Sequence, residues 1–267
     1  MNADLTANSG WLDNSPFDVY LQPHSDDICF SLGAFALNRG CGILLTVFPV
    51  TGYMPNPRGA AYPFVPLNSG QPSASWITNS RMNEDKAFAT ACKLEARFLD
   101  IPCASFLGHP SFDLSWLNQN TRRIALPLLN TLINAAGERR TRKRSWLFCP
   151  AAVGSHIDHA AVKLLVIQNY NLLSLYYRIG FYEDLHYASD ATVRALGVDS
   201  LRKELRYQAL SRYAFPFPEC VLAKLTLISM YNSQFIVPPS IDRFTPATET
   251  PIEPHEAIWS AENLSNK

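Results

Sequence analysis

Residues 19–33 read VYLQPHSDDICFSLG, and they place His24, Asp26 and Asp27 between apolar neighbours on both sides. Charges set into an apolar stretch need a partner. His24 and Asp27 are three apart, so a chain that turns helical after Pro23 brings both side chains to one point, as metal ligands require, and aims Asp26 elsewhere. Helix N-capping by Asp26 or Asp27 is the competing explanation; it needs one acid and no histidine. A second cluster follows the same plan. In LFCPAAVGSHIDHAAVKLL, residues 147–165, an apolar run and a small-residue turn lead into His156, Asp158 and His159, with the histidines again three apart. One carboxylate and two imidazoles drawn from two such clusters would make a three-ligand zinc site with a position left for water, the format of a catalytic rather than a structural zinc.

Such clusters need elements that hold them side by side. Near-continuous apolar runs at 17–22, 41–50, 95–101, 145–150 and 178–185 predict buried parallel strands, and helices are expected at 28–38, 78–93, 119–136 and 158–174. This alternation predicts an α/β fold, a Rossmann-like three-layer sandwich around a mostly parallel sheet. Ligands in such sheets bind beyond the carboxyl ends of the strands, which is where both clusters stand. One domain over 1–267 is expected, with an N-terminal extension at 1–16. A Pro/Gly/Ser-rich loop near the site is expected at 52–76, and a Pro-rich strap lying along the body at 237–267. Gly33 stands alone where a dinucleotide fingerprint needs three glycines.

Composition narrows the partners. In 267 residues, 23 Lys plus Arg balance 23 Asp plus Glu, so no net charge recommends a nucleic acid or another polyanion. No apolar run approaches the roughly 18 residues of a membrane span, and the first residues lack a basic, then apolar, leader. A soluble, cytoplasmic protein without a membrane partner is the expectation, and a homo-oligomer is compatible with it. The six cysteines have no metal-binding or disulfide spacing and read as reduced core thiols.

The motifs PHSDD and GSHIDH, in this order at strand ends, resemble those of the PIG-L/LmbE family of zinc-dependent de-N-acetylases, whose usual forms are PHPDDE and HPDH. SRMNEDKAFATACKLEARFLDIP resembles the family's Arg-x-x-Glu helix and following strand, and FYEDLHYA its Tyr-Glu-Asp-Leu-Pro-Tyr stretch; the likeness spans most of 17–190. The resemblance implies an LmbE-like deacetylase fold, with zinc, or another divalent ion such as Fe2+, on His24, Asp27 and His159. It implies Asp26 as general base, His156 as the group that steadies the oxyanion, Asp158 as a partner orienting a neighbouring histidine, and Arg81 as a contact to sugar hydroxyls. Ser25 and Ile157 stand where the family has proline, Ile28 where it has glutamate, and Cys103 near a usual acid.

The implied activity is hydrolysis of the N-acetyl group of a small-molecule amino-sugar glycoside. A zinc amidase for another acyl group and a non-catalytic sugar binder are the alternatives. Neutral charge and the loop at 52–76 suggest a small soluble glycoside of one or two sugar rings; the resemblance, with its altered first motif and Cys103, implies a compact polar aglycone, as in a pseudodisaccharide. His109, His186, Glu183 and Asp184 read as structural by default, and Tyr182 and Trp76 as aromatics able to stack on a sugar.

Overall fold

A computed structural model of the chain describes residues 5–6, 17–52, 73–138, 144–205, 208–234, 240–248 and 253–262. Most of the loop expected at 52–76 and of the extension expected at 1–16 lies outside these residues. Five strands coincide with the apolar runs: β2 (Asp18–Gln22), β3 (Gly42–Thr46), β4 (Leu94–Phe98), β5 (Ser145–Pro150) and β6 (Tyr177–Tyr182). Three more, β1 (Leu5–Thr6), β7 (Ser211–Pro216) and β8 (His255–Ser260), complete an eight-stranded sheet in the order β1-β7-β8-β6-β5-β2-β3-β4. Every adjacent pair is parallel except the two that involve β8.

Helices α1 (Asp27–Arg39), α2 (Ala74–Ala91), α3 (Leu117–Gly137) and α4 (Ile157–Gln168) link these strands, and a short α5 (Tyr170–Ser174) follows Asn169, where the expected 158–174 helix breaks. Helices α6 (Ala191–Glu204) and α7 (Val221–Ile228) have no counterpart among the elements predicted from periodicity. The crossovers through α1 and α2 run from β2 toward β4, whereas those through α3 and α4 reach β5 and β6 on the opposite side of β2. Because parallel crossovers are right-handed, the reversal puts α1 and α2 on one face of the sheet and α3 and α4 on the other. No helix among the described residues is long and apolar enough to cross a membrane.

The C-terminal segment is drawn further in than a strap along the surface. β8 runs antiparallel between β6 and β7, and all six of its residues are buried. Its polar side chains tolerate this because each meets a partner: His255 Nε2 lies 2.9 Å from Arg212, and Glu256 pairs with the buried Lys224 of α7. Glu256 also enters α1. That helix breaks at Leu32 (φ −136°, ψ 23°), and Glu256 accepts the freed N–H groups of Ala34 and Phe35 at 2.9 and 2.8 Å while Lys224 donates to the carbonyl of Phe30 at 2.8 Å. A Cβ at Gly33 would lie 3.4 Å from the Lys224 Nζ, so the lone glycine leaves room for this ammonium rather than for a phosphate.

Candidate metal centre and active site

β2 and β5 are hydrogen-bonded neighbours, and between them the direction of the crossovers reverses. The crevice at such a switch point is where open α/β sheets bind ligands. His24 to Asp27 leave the end of β2 there, and His156 to His159 leave the end of β5. Asp26 occupies the N-cap position of α1 with φ 105°, and its side chain makes no capping hydrogen bond. A non-glycine residue at such a φ costs about 1–3 kcal/mol, a strain that local helix-capping does not explain. Before the second cluster the chain turns through Gly154 at φ +88°, where a Cβ would come within 2.6 Å of the Tyr187 ring.

Two histidines here are each held from behind by a carboxylate. His24 Nε2 lies 2.9 Å from Asp158 Oδ2, and His159 Nδ1 lies 2.7 Å from Asp184 Oδ1. Both acids are themselves fixed by backbone donors, Asp158 by Ala104 N–H at 3.1 Å and Asp184 by Val153 N–H at 2.9 Å. The opposite ring nitrogens face one acid between them: His24 Nδ1 is 3.8 Å from Asp27 Oδ2, and His159 Nε2 is 3.4 Å from Asp27 Oδ1. Tetrahedral zinc with bonds of about 2.1 Å separates its ligands by about 3.4 Å, and ligating histidines usually donate their second N–H to a carboxylate. His24, Asp27 and His159 therefore fit a divalent ion. Burial disfavours a charge on His159, yet Asp27 and Asp184 outweigh it and push the ring up to about 9, so without a metal this carboxylate-rich pocket retains a proton.

His156 also offers a nitrogen within 4.8 Å of those of His24 and His159. Its Nδ1 accepts the N–H of Asp158 at 3.3 Å as the cap of α4, which puts the proton of the neutral ring on Nε2. Burial, then the neighbouring His24 and His159, hold this ring well below the usual imidazole range. Burial and the adjacent Asp27 push Asp26 well above the usual carboxylate range; the buried Arg81 of α2 draws it back down. A carboxylate so raised is a better proton acceptor near neutral pH.

Ile28, where the resemblance lacks its glutamate, is fully buried. Its N–H goes to Gln22 Oε1 at 3.1 Å, the Gln22 amide to Thr46 Oγ1 at 2.9 Å, and Thr46 to Asp85 at 2.8 Å, so a polar chain still runs beneath the first turn of α1. Cys103 is buried beside Ser105, 3.2 Å away. All six cysteines are unpaired. Asp184, counted as structural by default, is the partner of His159; its signal was its place at a third strand end, after β6. Glu183 beside it does point away, into a buried cluster with Arg194, Arg212 and the Trp259 indole. Tyr182 is buried with its hydroxyl on the Leu21 carbonyl, which removes it as a sugar platform, whereas Trp76 is exposed. His109 stacks on Trp116 at 4.1 Å. His186 packs against Tyr187, at 4.7 Å between ring centres.

No family model and no curated protein matches the chain. Solved structures do. A deacetylase of the antimicrobial A40926 pseudoaglycone is 17% identical with a TM-score of 0.62, covering 93% of this chain and 97% of its own. A deacetylase–teicoplanin complex from the teicoplanin biosynthesis pathway is 16% identical with a TM-score of 0.64, covering 91% and 96%. The zinc-inhibited form of a teicoplanin deacetylase is 15% identical with a TM-score of 0.61, covering 90% and 96%. At these identities the likeness establishes the fold, which is that of these deacetylases along nearly the whole chain.

Proposed function

We propose that the protein is a metal-dependent hydrolase that removes the N-acetyl group from an N-acetylated amino sugar carried on a glycoside. The observation that carries the reading is the pair of carboxylate-backed histidines turned toward Asp27 at the switch point. The shared fold with the A40926 pseudoaglycone and teicoplanin deacetylases supports amide hydrolysis as the reaction of such a centre. His24, Asp27 and His159 hold the ion, for which zinc suits the two nitrogens and one oxygen. A bound zinc supplies positive charge that polarises the amide and makes water acidic near pH 7. Asp26, next to a ligand without being one, takes the proton from the attacking water and returns it to the departing amine. The Nε2–H of His156 donates to the oxygen that gains charge as the carbonyl becomes tetrahedral. Asp158 and Asp184 fix the rings of His24 and His159, and Arg81 tempers the charge on Asp26 beside the substrate. The products are acetate and a free amine.

The decisive assay measures amine release from N-acetylglucosamine conjugates by protein of known metal content. Release that stops on chelation and returns with added zinc supports the reading. Stoichiometric metal and sugar binding without any amine would replace it with a non-catalytic binder.

A further inference from the structure

Asp85 of α2 ends the polar chain that runs beneath the first turn of α1, and it is fully buried. Both of its oxygens are engaged: Oδ2 accepts the Thr46 hydroxyl at 2.8 Å, and Oδ1 accepts the Tyr231 hydroxyl at 2.9 Å. Burial raises its carboxyl to about 6 against the pull of these hydroxyls, so near neutral pH it is ionised and only accepts. That fixes the direction of every bond above it. Thr46 gives its one proton to Asp85 and is left to accept from the amide nitrogen of Gln22 at 2.9 Å, which turns the Gln22 oxygen toward Ile28 N–H at 3.1 Å. The Ile28 N–H lies in the first turn of a helix, where the chain offers no intrahelical acceptor and an N-cap side chain normally accepts it. Asp26 holds the N-cap position of α1 and makes no capping bond. Gln22 takes that duty instead.

We propose that Asp85 is a positioning residue, which through Thr46 and Gln22 caps α1 from beneath and so releases the Asp26 carboxylate from capping to face the metal centre. The inference rests on the hydrolase reading for the task it gives Asp26, while the capping chain itself does not depend on any activity. Two hydroxyls meet the same carboxylate, but only that of Thr46 leads on to α1. Tyr231 reaches Asp85 from beyond α7 and sets its ring against Phe30, with centres 5.8 Å apart. The two arms therefore separate positioning from ordinary stabilisation.

The test compares variants of the zinc-loaded protein on an N-acetylglucosamine conjugate. Asp85→Ala, and Thr46→Val, which keeps the shape and cuts the chain, should each lower kcat about tenfold or more with KM nearly unchanged, the scale of a lost partner behind a metal site. Asp85→Asn should recover most of the rate, because its amide oxygen can face Thr46 while its NH2 turns to the Tyr231 oxygen. Tyr231→Phe keeps the ring and removes the other hydroxyl, so it should lower the melting temperature and leave kcat unchanged. Unchanged kcat in Thr46→Val, or an equal loss in Tyr231→Phe, would make Asp85 a structural group and overturn the proposal. Hydrogen exchange of the Ile28 amide, followed by NMR in metal-free protein, separates this idea from the hydrolase reading. If the unaltered protein releases no amine, yet Thr46→Val and Asp85→Ala speed that exchange and Tyr231→Phe does not, the capping chain stands and the hydrolase reading fails. Exchange unchanged in both Thr46→Val and Asp85→Ala overturns the proposal whatever the activity.

Discussion

Asp158 and Asp184 hold the rings of His24 and His159, and on the proposed reading variants separate that role from ligation. His159→Ala should leave the protein without its metal after desalting, as read by elemental analysis. Asp184→Asn keeps the ring but weakens its hold, and metal affinity should fall about 10–100-fold, measured by competition with a chromophoric chelator. Asp26→Asn should retain a full equivalent of metal and lose activity by about 10²–10⁴-fold, the range for a missing general base. Near-normal turnover there would move the base elsewhere. The two histidine clusters were legible in the sequence because each sits, intact, at the end of an apolar run. Asp184 read as structural by default, since the sequence does not show that its carboxylate reaches His159, 2.7 Å away.

At the scale of elements, α1 carries Asp26 and Asp27 at its start and depends on a buried ion pair in its middle. Removing one partner of such a pair strands a charge in the core and costs about 3–5 kcal/mol. Lys224→Met should therefore lower stability by that amount in urea unfolding, and adding Glu256→Gln should recover part of it; metal content would show whether damage reaches the first turn. Periodicity predicted α1 but not its break, because Gly33 alone does not announce an ammonium arriving from α7. β8 was hidden for the same reason. His255, Glu256 and Ser260 read as surface residues, and only Arg212, Lys224 and the Ile179 carbonyl make their burial tolerable.

Across the molecule, Glu183 joins β6, α6, β7 and β8 through Arg194, Arg212 and Trp259. Burial would raise its carboxyl, but the two guanidinium groups bring it down to about 2 from an ordinary 4.5. A carboxyl depressed on folding binds fewer protons in the native state, so its stabilisation is full above about 4.5 and is lost as pH falls toward 2. The melting temperature should drop through that window, and Glu183→Gln should flatten this part of the slope while lowering stability at pH 7. The position of β8 also has a consequence for synthesis. Ala34 leaves the ribosome 222 residues before Glu256, whose carboxylate completes its helix, and β6 and β7 emerge before the strand that joins them. Until β8 has emerged, the nascent chain thus carries unpaired strand edges on β6 and β7 and an α1 whose Ala34 and Phe35 N–H groups lack their acceptor, so pairing errors at those edges are the hazard of this topology.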